Sequence, residues 1–460
     1  MLQEILAPYK AMIGGHTELR VQRNLDRVVT LVAGNVMENR STDVSGVCAR
    51  VFDGGFWGFA SAAEKTGKAI DDALAAAKRN ASFLTQKLGR QKPAFAAMPA
   101  EQLSSGAVRN DCEQKALLDY TRALDSYIGQ KYPKLAARRI VAKADFVEKA
   151  VVTSDGADVD ALVPRAHVYC ILSAEAADGS IVELFDVIGG GGGFFLDLYD
   201  DPGWAYGAVD ELYAKLMDKR DGVYADAGER DVVLDSKLAG ILAHEAIGHT
   251  TEADLVLGGS VAGPNLGKEV ASGIVTLVDF ANAALGEPAP QPVIVDDEGT
   301  VARDVTLIEG GVLKAFMHNR ETAQHFGHEP LGNARAYLFS DEPLVRMRNT
   351  AILPGKDKLA DMISSIDDGY YLTDTGNGQA DLTSEFMFAV TMGYEIKGGK
   401  IGRAIRDTTI SGVAFDLLKT VTMLSDEMSW ISSGMCGKKQ PIAVGMGGPA
   451  VKCRVNIGGR

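Results

Sequence analysis

The segment His244-Glu245-Ala246-Ile247-Gly248-His249 sets what fold and chemistry to expect from this chain, because it places two imidazoles and a carboxylate close together. An apolar run, Ile241-Leu242-Ala243, precedes it and indicates a buried helix that starts near Ser236. Neutral imidazole nitrogens bind zinc, and a neighbouring carboxylate can accept a proton from a metal-activated water. The competing interpretation is two unrelated histidines near a helix end, which a total of seven histidines in 460 residues makes less favoured.

The spacing of this motif, HExxxH, is one residue longer than the familiar HExxH. At ~100° per residue, two side chains five positions apart lie ~140° from each other on a regular α-helix. His244 and His249 would then not face one ion. We therefore predict that the helix departs from α geometry at His249, through a π-bulge or a C-terminal break that Gly248 permits.

The composition is that of an ordinary globular protein with a sizeable core, since 46% of its residues are hydrophobic and 23% are charged. A length of 460 residues exceeds what one core usually supports, so we predict two domains, residues 1–225 and 226–460. The net charge of −14 argues against a broad nucleic-acid surface, which needs an excess of Lys and Arg.

Location and redox state can also be predicted from the sequence. The segment Met1–Pro8 lacks the basic and apolar regions of a signal peptide, and no 18-residue apolar stretch could span a membrane. The five cysteines are odd in number and contain no CxxC pair, which is typical of reduced thiols rather than a disulfide framework. We therefore expect a cytoplasmic protein with no membrane association.

The fold class predicted from local patterns is α+β. In the N-terminal half, β-rich segments such as Arg27–Ala33 alternate with two helices, the first predicted to begin at Ser61 with Glu64 completing a capping box. The second helix contains apolar positions from Leu117 to Ile128. Beyond the HExxxH helix, short strands punctuated by glycine indicate a β-rich curled sheet or partial barrel that carries the metal-site helix.

A catalytic zinc site needs a third protein ligand, and several residues qualify. Glu252 and Asp254 could bind the metal directly, or could form a hydrogen bond to one of the residues that bind it. His325 and His328 lie in a polar segment and are more typical of surface or cleft residues. Cys436 lies in a glycine-flanked turn, where a thiolate could approach an ion, although a buried inert thiol is the usual role of a single cysteine. Cys453 has the pattern of an ordinary strand residue.

The assembled motifs resemble the TldD/PmbA family, on its metal-bearing TldD side. The segments that carry the resemblance are His244–His249 with the following Thr250-Thr251-Glu252-Ala253-Asp254, the turn Ser433–Lys438, Ile442–Pro449, Asp296–Thr300, Met347–Thr350, Gly376–Asp381 and Val51–Ser61. The chain departs from the commoner HEAVGHGLEGD at Thr250, Thr251 and Ala253, which affects the loop after His249 and not the ligand set.

The resemblance implies a zinc site of His244, His249 and Cys436, with Glu245 as the general base of a peptidase. It further implies an α+β N-terminal domain, a β-rich C-terminal domain, and a dimer enclosing a narrow tunnel that admits short or unfolded peptides. The partner would be a second copy or a PmbA/TldE-type chain. Two alternatives stay open: a thiol hydrolase or amidase with Cys436 as nucleophile, and a non-catalytic peptide-binding subunit.

Overall fold

The N-terminal part of the chain forms one large sheet. The computed structural model describes residues 2–89, 102–104 and 113–458. The strands of this sheet are β1 His16–Val32, β2 Asn35–Asp53, β3 Phe56–Ala62, β4 Gln102–Ser104, β5 Ala137–Thr153, β6 Asp158–Glu175 and β7 Ile181–Gly192. Their order is β3-β2-β1-β5-β6, and β6 also pairs with both β4 and β7. All pairs are antiparallel except β4 with β6.

Local sequence explains how this sheet turns and where its helices begin. The β1–β2 hairpin turns at Ala33-Gly34, and both residues have the positive φ that a type I′ turn requires. The N-terminal helices are α1 Leu2–Leu6, α2 Gly67–Leu88, α3 Gln114–Lys131, α4 Phe195–Leu198 and α5 Tyr206–Arg220. The predicted start of the first long helix at Ser61 is wrong, because Ser61 pairs with Cys48 in the sheet. Thr66 caps α2 instead, with its side chain accepting from the Ala69 N–H.

The C-terminal part forms a larger, mixed sheet. Its strands are β8 Gly228–Leu234, β9 Leu277–Phe280, β12 Val305–Glu309, β13 Val312–Leu313, β16 Asn349–Ile352, β17 Asp368–Leu372, β18 Thr375–Ala380, β19 Glu385–Val390, β20 Gly393–Lys397, β21 Lys400–Ile405, β22 Thr408–Val413, β23 Met423–Cys436 and β24 Ile442–Ile457. Two short ladders lie outside it, β10 Ala283–Ala284 with β11 Glu287–Pro288 and β14 Ala334–Arg335 with β15 Leu344–Val345.

The predicted curled sheet or partial barrel is wrong. Among the described residues the main order runs β13-β12-β9-β16-β24-β8-β17-β20-β21, and the two end strands do not pair. The reason lies in β24, whose 16 residues pair in turn with β23, β16, β8 and β22. The short glycine-punctuated strands therefore branch from one long central strand instead of following one another around a closed wall. The coarser prediction of an α+β fold is confirmed.

The C-terminal part also contains short helices. They include α6 Ser236–Ile241, a π-helix Leu242–Gly248, α7 Ala253–Leu257, α8 Arg320–Phe326, α9 Leu359–Ser364 and α10 Ala414–Lys419. Asp235 caps α6 by accepting from the Leu238 N–H at 2.9 Å. Gly240 lets α6 approach the backbone of β24, since a Cβ at this position would lie 2.8 Å from the Met446 carbonyl carbon. No helix within the described ranges is long and apolar enough to cross a membrane.

A buried charge cluster joins the N-terminal sheet to the C-terminal part of the chain. Arg20 of β1 contacts Asp297 at 2.8 Å, and Glu18 of the same strand contacts Arg320 at 3.3 Å. Arg50 of β2 lies 3.3 Å from Glu18. All five side chains are 5% exposed or less, and buried ions are stable only when paired in this way.

Candidate metal centre

The HExxxH segment forms a π-helix, as the spacing of its histidines predicts. The His249 N–H bonds to the His244 carbonyl, five residues back, and this wider turn returns the second histidine to the side of the first. The two ring centroids lie 5.3 Å apart. Gly248 is needed for a different reason from the one expected: its backbone is helical, but a Cβ there would lie 1.9 Å from the Met347 Sδ.

Cys436 reaches the same point from the end of β23. Its turn back into β24 is held by Arg346, a buried side chain that donates to the carbonyls of Cys436, Lys438 and Gln440 at 2.8, 3.1 and 2.8 Å. The Cys436 Sγ lies 3.3 Å from His249 Nε2. The candidate ligand atoms of His244, His249 and Cys436 all lie within 4.8 Å of one another. In the part of the chain that the structure describes, this is the one such grouping of His, Cys, Asp or Glu.

The burial of these groups favours a bound cation. His244 is 1% exposed and Cys436 is 2% exposed. Both ring nitrogens of His244 are buried without a hydrogen-bond partner among the described residues. Buried polar atoms are nearly always partnered, so an imidazole in this state is suited to coordinate an ion.

The electrostatics of Cys436 and His249 keep the thiol in its ligand form. Burial opposes ionisation of Cys436, but the imidazoles of His244 and His249 outweigh it and lower the pKa of the thiol to about 3. Burial likewise opposes protonation of His249, but the Glu252 carboxylate and the Cys436 sulfur raise its pKa to about 10. Without a metal, the two groups therefore form a thiolate–imidazolium pair, and a thiolate is the form that binds metals.

Glu252 fixes which nitrogen of His249 faces the sulfur. Its Oε2 lies 2.8 Å from His249 Nδ1, so Nε2 points to Cys436. Lys438 Nζ lies 3.3 Å from the same Glu252 oxygen and 2.7 Å from Asp254. Glu252 thus binds a candidate ligand from behind, one of the two roles considered for it, and Asp254 lies one contact further out.

Glu245 and one of the ligand candidates, His249, line a cleft. The Glu245 Oε2 lies 3.8 Å from His249 Nε2, and the side chain is 24% exposed. The cleft has a volume of about 570 Å³. It is lined by Glu245, His249, Leu255, Gly378, Gln379, Ala380, Asp381, Leu382, Met435, Gly437 and Lys438. Residues 378–380 belong to β18, which pairs with β19 on one side and with no other strand in the described ranges.

The remaining candidates lie elsewhere. His325 and His328 are exposed, as their polar segment predicts, and neither joins the metal grouping in the described structure. Cys453 is buried in β24, and burial raises the pKa of its thiol far above the ordinary range. Cys48, Cys170, Cys436 and Cys453 are free thiols, as expected, and Cys112 lies outside the described residues. The supporting roles of Lys438 and Arg346 were not predicted, although Lys438 lies within a segment that carries the resemblance and Arg346 directly precedes another.

Comparison with known proteins identifies the family. The family described as the PmbA/TldA metallopeptidase C-terminal domain matches residues 227–459, and the one described as PmbA/TldA metallopeptidase domain 1 matches residues 17–81. This chain belongs to the TldD/PmbA family. The first match alone covers half of the chain and contains the whole candidate metal centre.

Individual TldD/PmbA relatives agree with this assignment. A protein of Saccharolobus solfataricus named zinc metalloprotease TldD homolog is 27% identical over 446 residues, which is 96% of each chain. A metalloprotease of Archaeoglobus fulgidus is 38% identical over 272 residues, covering 58% of this chain and 61% of its own. The crystal structure of TldE from Thermococcus kodakarensis matches with a TM-score of 0.77 and 18% identity, covering 100% of this chain and 99% of its own. At that identity the likeness shows the fold alone.

Proposed function

We propose that this chain is a TldD-type zinc peptidase in which His244, His249 and Cys436 hold the metal and Glu245 is the general base. The convergence of the three ligand candidates carries the proposal. In tetrahedral zinc sites a nitrogen and a sulfur ligand lie about 3.5 Å apart, and Cys436 Sγ lies 3.3 Å from His249 Nε2. The unpartnered nitrogens of His244 fit the same role. The name of the Saccharolobus relative supports zinc as the ion.

Glu245 has the position that a general base requires. When bound, zinc supplies a Lewis acid that polarises a scissile carbonyl and acidifies a water molecule. The Glu245 carboxylate lines the cleft, partly exposed and beside His249, where it can take a proton from the attacking water and deliver it to the leaving amine nitrogen. Its Oε2 lies 3.8 Å from His249 Nε2, beyond hydrogen-bond distance, so the carboxylate is available for this transfer.

The substrate we propose is a short or unfolded peptide lying along β18. The cleft runs beside Gly378, Gln379 and Ala380, and an extended peptide can add to an open strand edge through main-chain hydrogen bonds. Such bonds need a segment with free N–H and C=O groups, which a folded substrate does not offer. We further propose that the chain works as a dimer, with a second copy or with a PmbA/TldE-type chain.

A thiol hydrolase is the second candidate, because the Cys436–His249 pair has the thiolate and imidazolium that such an enzyme uses. One observation weighs against it: the Cys436 side chain is 2% exposed, which leaves its sulfur little access to a substrate.

Metal removal and Glu245→Gln together test the proposal. We expect a chelator to abolish peptide cleavage and added zinc to restore it, whereas a thiol hydrolase would stay active. Glu245→Gln keeps the shape but not the base, so zinc content measured by elemental analysis should stay near one per chain while turnover falls ~10²–10⁴-fold. Activity that survives both changes would refute the proposal.

A further inference from the structure

We propose that Lys438 is a positioning residue of the metal centre, which holds His249 in place through Glu252 and ties the helix of His249 to the turn of Cys436. This inference rests on the proposed zinc site. It concerns the affinity of that site for zinc, and it assigns a role to a lysine that contacts none of the three ligand candidates.

The contacts of Lys438 lie within the protein. Its Nζ donates to Asp254 at 2.7 Å and to the Val345 carbonyl at 3.0 Å, and it lies 3.3 Å from Glu252 Oε2. The side chain is only 9% exposed. Although Lys438 borders the cleft, its ammonium group is therefore directed towards these three protein groups.

Glu252 lies between Lys438 and His249. Its side chain is fully buried, and a buried polar group is stable only when it has partners. Its Oε2 lies 3.3 Å from Lys438 Nζ and 2.8 Å from His249 Nδ1, and the second contact aims His249 Nε2 at Cys436. Loss of the Lys438 charge would weaken this orientation without touching any ligand.

The arrangement also joins two distant parts of the chain. Lys438 lies two residues after Cys436, and Glu252 lies three residues after His249. Their contact links a helix end and a hairpin turn that are more than 180 residues apart in sequence. Because His249 and Cys436 come from different elements, such a link sets their separation before an ion arrives. Partners behind metal ligands typically change metal affinity by about 10–100-fold.

The test is the zinc affinity of the full chain, measured by competition with a chromophoric chelator. We expect Lys438→Met to bind zinc about 10–100-fold more weakly than wild type. Lys439→Met, which removes the same charge from the exposed neighbouring residue, should bind as wild type. The absorption bands of the cobalt-substituted protein should shift in Lys438→Met at saturating cobalt, because the His249 ligand is less well aimed. Equal affinity and equal spectra for wild type and Lys438→Met would overturn the inference.

A second variant covers the case in which Lys438→Met does not fold. Glu252→Gln keeps an acceptor for His249 and removes the charge that Lys438 contacts, so it should also weaken zinc binding. Where Lys438→Met folds, the double variant should lose no more affinity than the weaker-binding single variant, because both changes break the same link. Losses of zinc affinity that add in the double variant would refute the proposed role of Lys438. A wild-type protein that binds no stoichiometric zinc would refute the proposed function instead, so the two failures are distinguishable.

Discussion

At the scale of single residues, Cys436 and Cys453 show how position determines what a thiol does. Both are buried, but two imidazoles lower the pKa of Cys436 while Cys453 has only burial, which raises its pKa. Cys436→Ser should therefore lose most of the zinc, and Cys453→Ser should keep it, as measured by elemental analysis of protein purified without added metal. Full zinc content in Cys436→Ser would remove Cys436 from the ligand set and direct attention to Glu252.

The residues of the candidate site divide into those that the sequence predicts and those that it does not. His244, Glu245 and His249 stand in one recognisable motif, and the resemblance adds Cys436. Lys438 and Arg346 act through contacts that cross about 90 to 180 residues of sequence. Local patterns carry no information on such distances, because the contacts exist only once β23 and β24 are placed against the helix.

At the scale of elements, the π-helix is the feature that brings His244 and His249 together, and Gly248 is the residue that lets it pack. A Cβ there would overlap the Met347 Sδ at 1.9 Å. We expect Gly248→Ala to destabilise the protein by about 1–3 kcal/mol through overpacking, and to weaken zinc binding because the turn must shift. Gly207→Ala is the matched control, since a Cβ at that helical position would meet no described atom within 4 Å beyond its chain neighbours and the backbone of its own helix. Denaturant unfolding would measure the free energy of unfolding of both variants. A Gly248→Ala protein as stable as Gly207→Ala would contradict the packing argument.

The predictions of helices succeeded where they rest on local periodicity, and the predictions that depend on long-range strand pairing failed. The seam Leu117, Thr121, Leu124 and Ile128 is buried in α3, as its spacing predicts. The predicted capping box at Ser61 was wrong because Ser61 belongs to β3, whose residues 56–62 pair with residues 47–53 of β2. The partial barrel was wrong because strand order depends on the partners of β24, which the sequence of each short strand does not encode.

At the scale of the whole molecule, the two sheets meet through buried polar contacts, including His167 of β6, whose Nε2 lies 3.3 Å from the Ser432 carbonyl. Burial lowers the pKa of His167 from 6.5 to about 4, with Asp145 opposing the shift. The unfolded chain therefore binds a proton at a higher pH than the folded protein does. The stability that His167 contributes is complete above about pH 6.5 and is lost as the pH falls towards about 4.

This sign gives a measurable expectation. Between about pH 7.5 and about pH 5, His167 should account for about 2 kcal/mol of lost stability. His167→Gln keeps a donor for Ser432 but cannot titrate, so its unfolding free energy should fall by about 2 kcal/mol less than that of wild type over this interval. His325→Gln, at an exposed histidine, should behave as wild type. An unchanged pH dependence in His167→Gln would show that His167 does not stay neutral in the folded protein.

The domain boundary near residue 225 stays a prediction.

Substrate access is the property of the whole molecule that most needs a test. The cleft runs beside β18, which pairs only with β19 in the described ranges, and the proposed dimer would enclose it. A stably folded protein cannot offer an extended segment without unfolding, whereas a short peptide can. We expect cleavage of a destabilised variant of a substrate protein and of the corresponding peptide, and no cleavage of the stable parent at the same sequence. The three substrates are compared at constant zinc occupancy by mass spectrometry, with Glu245→Gln as the blank. Equal rates on the stable and destabilised forms would mean that the site accepts folded chains, and the enclosed arrangement would have to be abandoned.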